Sequence, residues 1–214
     1  VTLGKQKPAV LTPIKLADLW NELLLQWELF GDLNRGAIEL LLVHVAAEVS
    51  IDTQKGTLPI CYNYNIGNKR PANGQDYCLF GCGEELRLAK AEQLLAENPE
   101  TVSIALRYVK QTKLADGTTI AVSMASVKFK PPHPFCQFRS YDSLKDSAKS
   151  LIKHVNNYRN CWHALLSEQP ELYVRELKAI SYMTASESSY LALVRTRLLQ
   201  VKRITDKYDW GDVS

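Results

Sequence analysis

The sequence predicts an α+β protein, a mainly helical body with one β-hairpin lobe inserted into it. Two observations carry this. Apolar residues recur at helical spacing towards both ends, as Leu16, Leu19, Trp20, Leu23, Leu24, Trp27 and Phe30, and again as Leu191, Val194, Leu198 and Val201. Between them, Thr101–Val109 and Thr118–Phe129 are β-rich runs of period two joined through Asp116-Gly117, a strong hairpin signal. The 214 residues contain no internal repeat and no low-complexity linker. Residues 1–214 are therefore expected to form a single domain, with the helical body at about 12–50 and 142–206 and the loop and β lobe at about 51–141. Such an arrangement is expected to leave a cleft between body and lobe.

The elements follow in order. Thr12-Pro13 reads as a helix start and Gly31 as its stop. The periodicity assigns Trp20 and Trp27 to the core. A second helix is expected from about Asn34 to Ser50. Residues Ile51–Gly83 are rich in Gly, Asn, Pro, Tyr and Cys and read as a long structured loop. Glu84–Glu97 regains helical or near-helical character. Pro131-Pro132-His133-Pro134 ends the second strand or moves it to an edge, and Phe135–Tyr141 is a short extended return. Ser143-Leu-Lys-Asp146 fits a capping box opening a helix to about Tyr158. Further helices are expected over Asn160–Ser167, Pro170–Ile180 and Glu187–Ile204.

Composition narrows the chemistry. The net charge of +3, from 26 basic and 23 acidic residues, is too mild to mark a nucleic-acid binder, and no basic stripe with interleaved aromatics appears. The longest apolar runs, such as Leu40–Val43, are far too short to span a bilayer, so membrane insertion is not expected. Val1-Thr-Leu-Gly-Lys5 does not read as a signal peptide. The five cysteines are Cys61, Cys78, Cys82, Cys136 and Cys161. Cys78-x-x-x-Cys82 with His133 and Cys136 is too loosely spaced for a zinc knuckle, so neither metal nor other cofactor is expected. The cysteines read as buried thiols, or as one disulfide among Cys61, Cys78, Cys82 and Cys136 if the protein works outside the cytoplasm.

The chemistry concentrates on Glu48. It ends the run from Ala37, and Ile38, Leu41, Val45 and Glu48 fall near one helical face. A carboxyl on an apolar stripe is costly to ionise, so its pKa is expected to rise, leaving a proton to donate near neutral pH. The alternative is a glutamate at a fraying helix end turned to water. His44, one turn earlier, reads either as a partner of Glu48 or as a core histidine.

Downstream comes Ile60-Cys-Tyr-Asn-Tyr-Asn-Ile-Gly-Asn-Lys-Arg70. A helix ending in a glutamate, then an Asn-aromatic-Asn segment closing on Gly67-Asn68, resembles the lysozyme-superfamily peptidoglycan hydrolases. The closest group is the flagellar-type muramidases and glucosaminidases with their phage and secretion-system relatives. Phe138-Arg-Ser-Tyr-Asp-Ser-Leu-Lys-Asp-Ser147 is similar to that family's "FR-x-Y-x-S" run, and Leu177-Lys-Ala-Ile-Ser-Tyr-Met-Thr-Ala185, with Tyr190 beyond, to its "L-x-x-x-G-Y-x-T" segment. The three motifs stand in family order over about Ile38–Leu198.

The resemblance implies a lysozyme-like fold and a hydrolase that cuts β-1,4 bonds of peptidoglycan glycan strands outside the cytoplasm, in the periplasm or cell wall, without a cofactor and with Glu48 as general acid. It implies substrate contacts from Tyr62, Asn63, Tyr64, Asn65, Asn68 and Tyr182, the asparagines offering both donors and acceptors to sugar hydroxyl and acetamido groups. Gly67 is expected to permit a tight turn or a close backbone approach. The alternative for the asparagines is a loop folded on itself through Asx turns. The second carboxylate is open among Asp76, Glu84, Glu85 and Asp116. The sequence departs from the family at Val49-Ser50 (commonly Gly-Trp), at Ser181 (Gly) and at Lys69-Arg70 (a hydrophobic residue and lysine). A second reading is a catalytically inactive lysozyme-like part of a phage or secretion apparatus that binds glycan.

Overall fold

The computed structural model describes residues 2–26, 33–114, 116–183 and 186–208. It is an α+β protein, with seven α-helices and seven strands among the described residues. Contacts divide the chain into two compact units. One is mainly helical and takes residues 10–69 and 140–214; the other takes residues 1–9 and 70–139 and holds the larger sheet. The loop 51–69, grouped with the lobe on sequence grounds, belongs by contacts to the helical unit.

In the helical unit, β1 (Ile14–Lys15) pairs antiparallel with β2 (Thr57–Leu58). Helix α1 (Leu16–Leu25) follows directly. It begins later than the Thr12-Pro13 signal predicts, because Ile14 and Lys15 are held extended by β2 while the Thr12 hydroxyl donates to the Cys61 carbonyl. Trp20 is in the core as expected, whereas Trp27, Phe30 and Gly31 lie outside the described residues.

Helix α2 (Arg35–Val49) is capped by the Asn34 side chain, which accepts from the Ala37 N–H at 2.7 Å. Every residue from Ala37 to Ala46 is buried. A helix apolar on nearly all sides belongs inside a fold, and α2 packs against α1, α5 (Arg159–Leu166) and α7 (Glu187–Thr205). Its buried Glu39 is satisfied by Arg35 at 3.0 Å and by the Thr205 hydroxyl at 3.3 Å, which ties α2 to α7. Helix α4 (Leu144–Asn156) has the predicted cap: Ser143 accepts from the Asp146 N–H and donates to its carboxylate. Helix α6 (Pro170–Ala179) also matches its predicted span to within a residue. On α7, Val194 and Val201 are buried, and Leu191 and Leu198 pack against the same core.

In the other unit, β3 (Tyr77–Leu79) pairs with β7 (Gln137–Arg139), and β4 (Cys82–Arg87), β6 (Thr119–Phe129) and β5 (Val102–Lys113) form an antiparallel sheet in that order. The predicted hairpin is present, with a bulge between Ile104 and Leu106. Asp116 shapes its turn by accepting from the Thr118 N–H at 2.9 Å. Helix α3 (Leu88–Glu97) starts later than the sequence predicts. Residues 84–87 are strand because Glu84 to Arg87 pair in register with Val127 to Met124 of β6, and that ladder overrides the helix preference of Glu-Glu-Leu-Arg. A small core of Ala91, Val102, Ala125, Val127, Phe129 and Cys136 closes this unit. Among the described residues, no helix is long and apolar enough to cross a membrane.

Candidate active site

Glu48 sits in the last turn of α2, before Ser50, whose φ of 65° turns the chain sharply out of the helix. Its carboxyl is largely buried, and burial raises its pKa to about 7. The Tyr190 hydroxyl of α7 donates to Glu48 Oε1 at 3.2 Å, which favours the ionised form but does not outweigh the burial. The carboxyl is thus poised to hold or release a proton near neutral pH. The fraying-end alternative does not describe this environment.

A wall of aromatic and imidazole groups lies in the same unit. His44 is buried and its Nδ1 hydrogen-bonds the Tyr173 hydroxyl at 2.8 Å, so it is a core histidine paired with α6. Burial first, and then the Lys69 cation, lower its pKa to about 3. His154 of α4 is lowered to about 4 for the same two reasons. Both rings are therefore neutral at pH 7. Tyr182 packs its ring against His44 and His154, at centroid distances of 4.7 and 5.5 Å. Its own hydroxyl donates to the Gly67 carbonyl at 3.2 Å, and burial and the nearby Glu48 raise its pKa.

The backbone before Tyr182 explains how it is aimed. The Ser181 N–H donates to the Lys178 carbonyl and the Tyr182 N–H to the Leu177 carbonyl, with Ser181 at φ 57°. This is a Schellman ending of α6, in which the left-handed residue is most often glycine. Glycine at the position of Ser181, as in the "G-Y" pair of the resemblance, has a backbone reason. Thr184 and Ala185 of that motif lie outside the described residues.

The loop 60–69 divides by role. Asn63 accepts from the Val10 N–H at 2.7 Å and donates to Ser140 Oγ at 2.9 Å. Asn65 accepts from the Lys69 N–H at 2.8 Å and donates to the Lys69 carbonyl at 2.9 Å. Both are buried, so these two asparagines fold the loop onto its own unit, as in the Asx-turn alternative. Tyr62 bridges to Leu11, and Tyr64 packs on the large core. Asn68 is exposed. Asn63, Tyr64 and Asn68 all have positive φ, of 49°, 55° and 47°, a concentration of unusual backbone in one short loop. A Cβ at Gly67 would lie 3.3 Å from the Lys69 side chain, so glycine there serves close approach. Lys69 Nζ in turn donates to the Ser150 carbonyl at 2.9 Å.

The candidate second carboxylates belong to the other unit, each with partners there. Asp76 pairs with Lys7 at 3.1 Å and accepts from the Lys5 N–H at 2.9 Å, and this last bond leads the effects that hold its pKa below the usual range. Glu84 lies 3.5 Å from Arg70 and Glu85 3.9 Å from Lys110. Glu84 and Arg70 also line a cavity of about 570 Å³ walled by Leu3, Leu86, Pro134 and Phe135. Within the helical unit, Glu39 shares α2 with Glu48 but stands nine residues away, about 13 Å along the axis. That exceeds the roughly 5–9.5 Å of a glycosidase carboxylate pair.

Sequence reasoning did not assign a role to Tyr190, the group that bonds Glu48. Its signals are its place just beyond the Leu177–Ala185 motif and its distance of one turn from Val194 on the inward stripe of α7. Among the described residues, no group of three or more His, Cys, Asp or Glu side chains is placed to hold a metal ion. No protein-family model, curated protein or solved structure matches this chain.

Proposed function

We propose that this chain is a lysozyme-like peptidoglycan glycosidase, a muramidase or N-acetylglucosaminidase, with Glu48 as general acid. The observation that carries the reading is the state of Glu48: a carboxyl at the end of a buried helix whose pKa burial raises to about 7. A β-1,4 glycosidic bond breaks when its leaving oxygen is protonated as positive charge develops on the sugar ring. A carboxylic acid still protonated near neutral pH supplies that proton. On the resemblance, Tyr182, Tyr64 and the exposed Asn68 would meet the glycan, while Asn63 and Asn65 hold the loop in shape. The mild positive charge favours an anionic wall polymer as partner. On this reading the protein acts in the periplasm or cell wall, reached by a phage or a secretion system.

Glu48→Gln keeps the shape of the side chain and removes its acidity. The variant is expected to lose release of reducing sugars from purified cell walls, by at least about a hundredfold, with an unchanged circular dichroism spectrum. Undiminished release would sink the assignment. The mass of the reducing-end sugar separates muramidase from glucosaminidase. A second reading, a glycan-binding but inactive lysozyme-like component, is favoured by one observation: Asp76, Glu84 and Glu85 are each engaged with cations of their own, sheet-bearing unit. It predicts saccharide binding by the wild type with no cleaved product.

A further inference from the structure

The function proposed for Glu48 leaves the cysteines unused, and two of them meet in the sheet-bearing unit. The Phe80 N–H donates to the Cys136 carbonyl at 3.2 Å, which brings the turn before β4 against the short 3-10 turn Pro134–Cys136. Two residues on, the Cys82 thiol donates to the Phe135 carbonyl at 3.1 Å. Cys136 directly follows Phe135, and the two thiols are close enough to perturb each other's ionisation. Cys136 is buried in the small core and Cys82 packs at its edge, half-exposed. Cys78 is set apart by the sheet: it stands opposite Phe138 in the β3–β7 ladder.

We propose that Cys82 and Cys136 form a disulfide when the protein meets an oxidising medium, closing the sheet-bearing unit covalently from the first residue of β4 to the end of the 3-10 turn. The oxidant is a low-molecular-weight disulfide, R–S–S–R. Cys82, the more exposed of the two, loses its proton to solvent, and its thiolate attacks one sulfur of the oxidant, releasing one RS⁻. Burial raises the Cys82 pKa and the nearby Arg70 guanidinium offsets part of that, so the attack quickens as pH rises. Cys136 then loses its proton and attacks the Cys82 sulfur of the mixed disulfide, releasing the second RS⁻. Two thiols give up two protons and two electrons, and the oxidant is reduced to two thiols. With the Cys82 thiol 3.1 Å from the carbonyl of the residue that precedes Cys136, the two sulfurs lie within reach of one another. The bond removes conformational freedom from the unfolded chain across the whole segment that contains α3 and the hairpin.

The test is independent of any hydrolase activity. The full chain is incubated with oxidised or reduced glutathione, blocked with an alkylating agent, digested and mapped by mass spectrometry. The expected result is a Cys82–Cys136 cross-linked peptide pair lighter by two hydrogens than the separate peptides. The thermal midpoint rises by several degrees on oxidation and returns with dithiothreitol. Cys82→Ala abolishes both the cross-link and the rise, while its midpoint under reducing conditions stays near that of the wild type. Recovery of Cys82 and Cys136 as separately glutathionylated or alkylated residues, or pairing of either with Cys78, overturns the proposal.

Discussion

At the scale of single residues, Glu48 and the histidines near it pull stability in opposite directions with pH. The folded state raises the Glu48 pKa from 4.5 to about 7, so it binds that proton more tightly than the unfolded chain does. The associated stability is complete below pH 4.5 and is lost as pH rises through 7, a change of about 3 kcal/mol. His44 and His154, depressed to about 3 and about 4, act the other way. Their contribution is complete above pH 6.5 and is lost as pH falls towards those values. Comparing Glu48→Gln with the wild type isolates the glutamate. The variant is expected to gain on the wild type by about 3 kcal/mol between pH 4 and pH 8 in denaturant titrations. A flat difference would refute a buried acid at this position. Tyr190→Phe removes the hydrogen bond that favours the ionised carboxyl, so the Glu48 pKa rises further. If Glu48 is the acid, the alkaline limb of the kcat/KM profile moves to higher pH in this variant, a shift readable from initial rates on cell walls.

At the scale of elements, the caps were readable from sequence and the long-range pairings were not. Ser143 and Asn34 announce their helices because a cap is a bond to a residue three positions away. Asn34→Ala is expected to cost about 1–2 kcal/mol in denaturant stability, since Asn34 also donates to the Leu166 carbonyl of α5. β4 was not legible: Glu84 to Arg87 reads as helix until β6, some forty residues on, supplies its hydrogen-bonding edge. The link from Tyr190 to Glu48 was hidden for the same reason, since the two lie on different helices far apart in sequence. Asn63 and Asn65 show the opposite limit. Their residue type fits a sugar site and a self-bonded loop equally well, and only the positions of Val10, Lys69 and Ser140 separate the two. The Schellman ending of α6 yields a direct test. Ser181→Gly relieves a left-handed penalty on a residue with a Cβ and is expected to stabilise the protein by about 1 kcal/mol. Its effect is read as a raised thermal midpoint, and a lowered one would contradict the conformation of α6's end.

At the scale of the whole molecule, each unit closes its own core. The four tryptophans all fall in segments 10–69 and 140–214, the helical unit's share of the sequence. Tryptophan fluorescence therefore follows that unit, while circular dichroism follows both. Phe129→Ala opens a cavity in the small core, at a cost of about 3–5 kcal/mol. It is expected to lower the midpoint of the part of the dichroism signal that the sheet-bearing unit contributes. Leu41→Ala, in the large core, is expected to move the fluorescence midpoint instead. The discontinuous division of the chain also sets an order of events during synthesis. The sheet-bearing unit is complete once Arg139 has left the ribosome, whereas α2 must wait for α5 and α7 to cover it. The nascent chain thus carries its most deeply buried helix, the one that ends in Glu48, covered by no helix but α1 through the translation of more than a hundred further residues. For that interval the helix is a natural client for a chaperone that binds apolar segments.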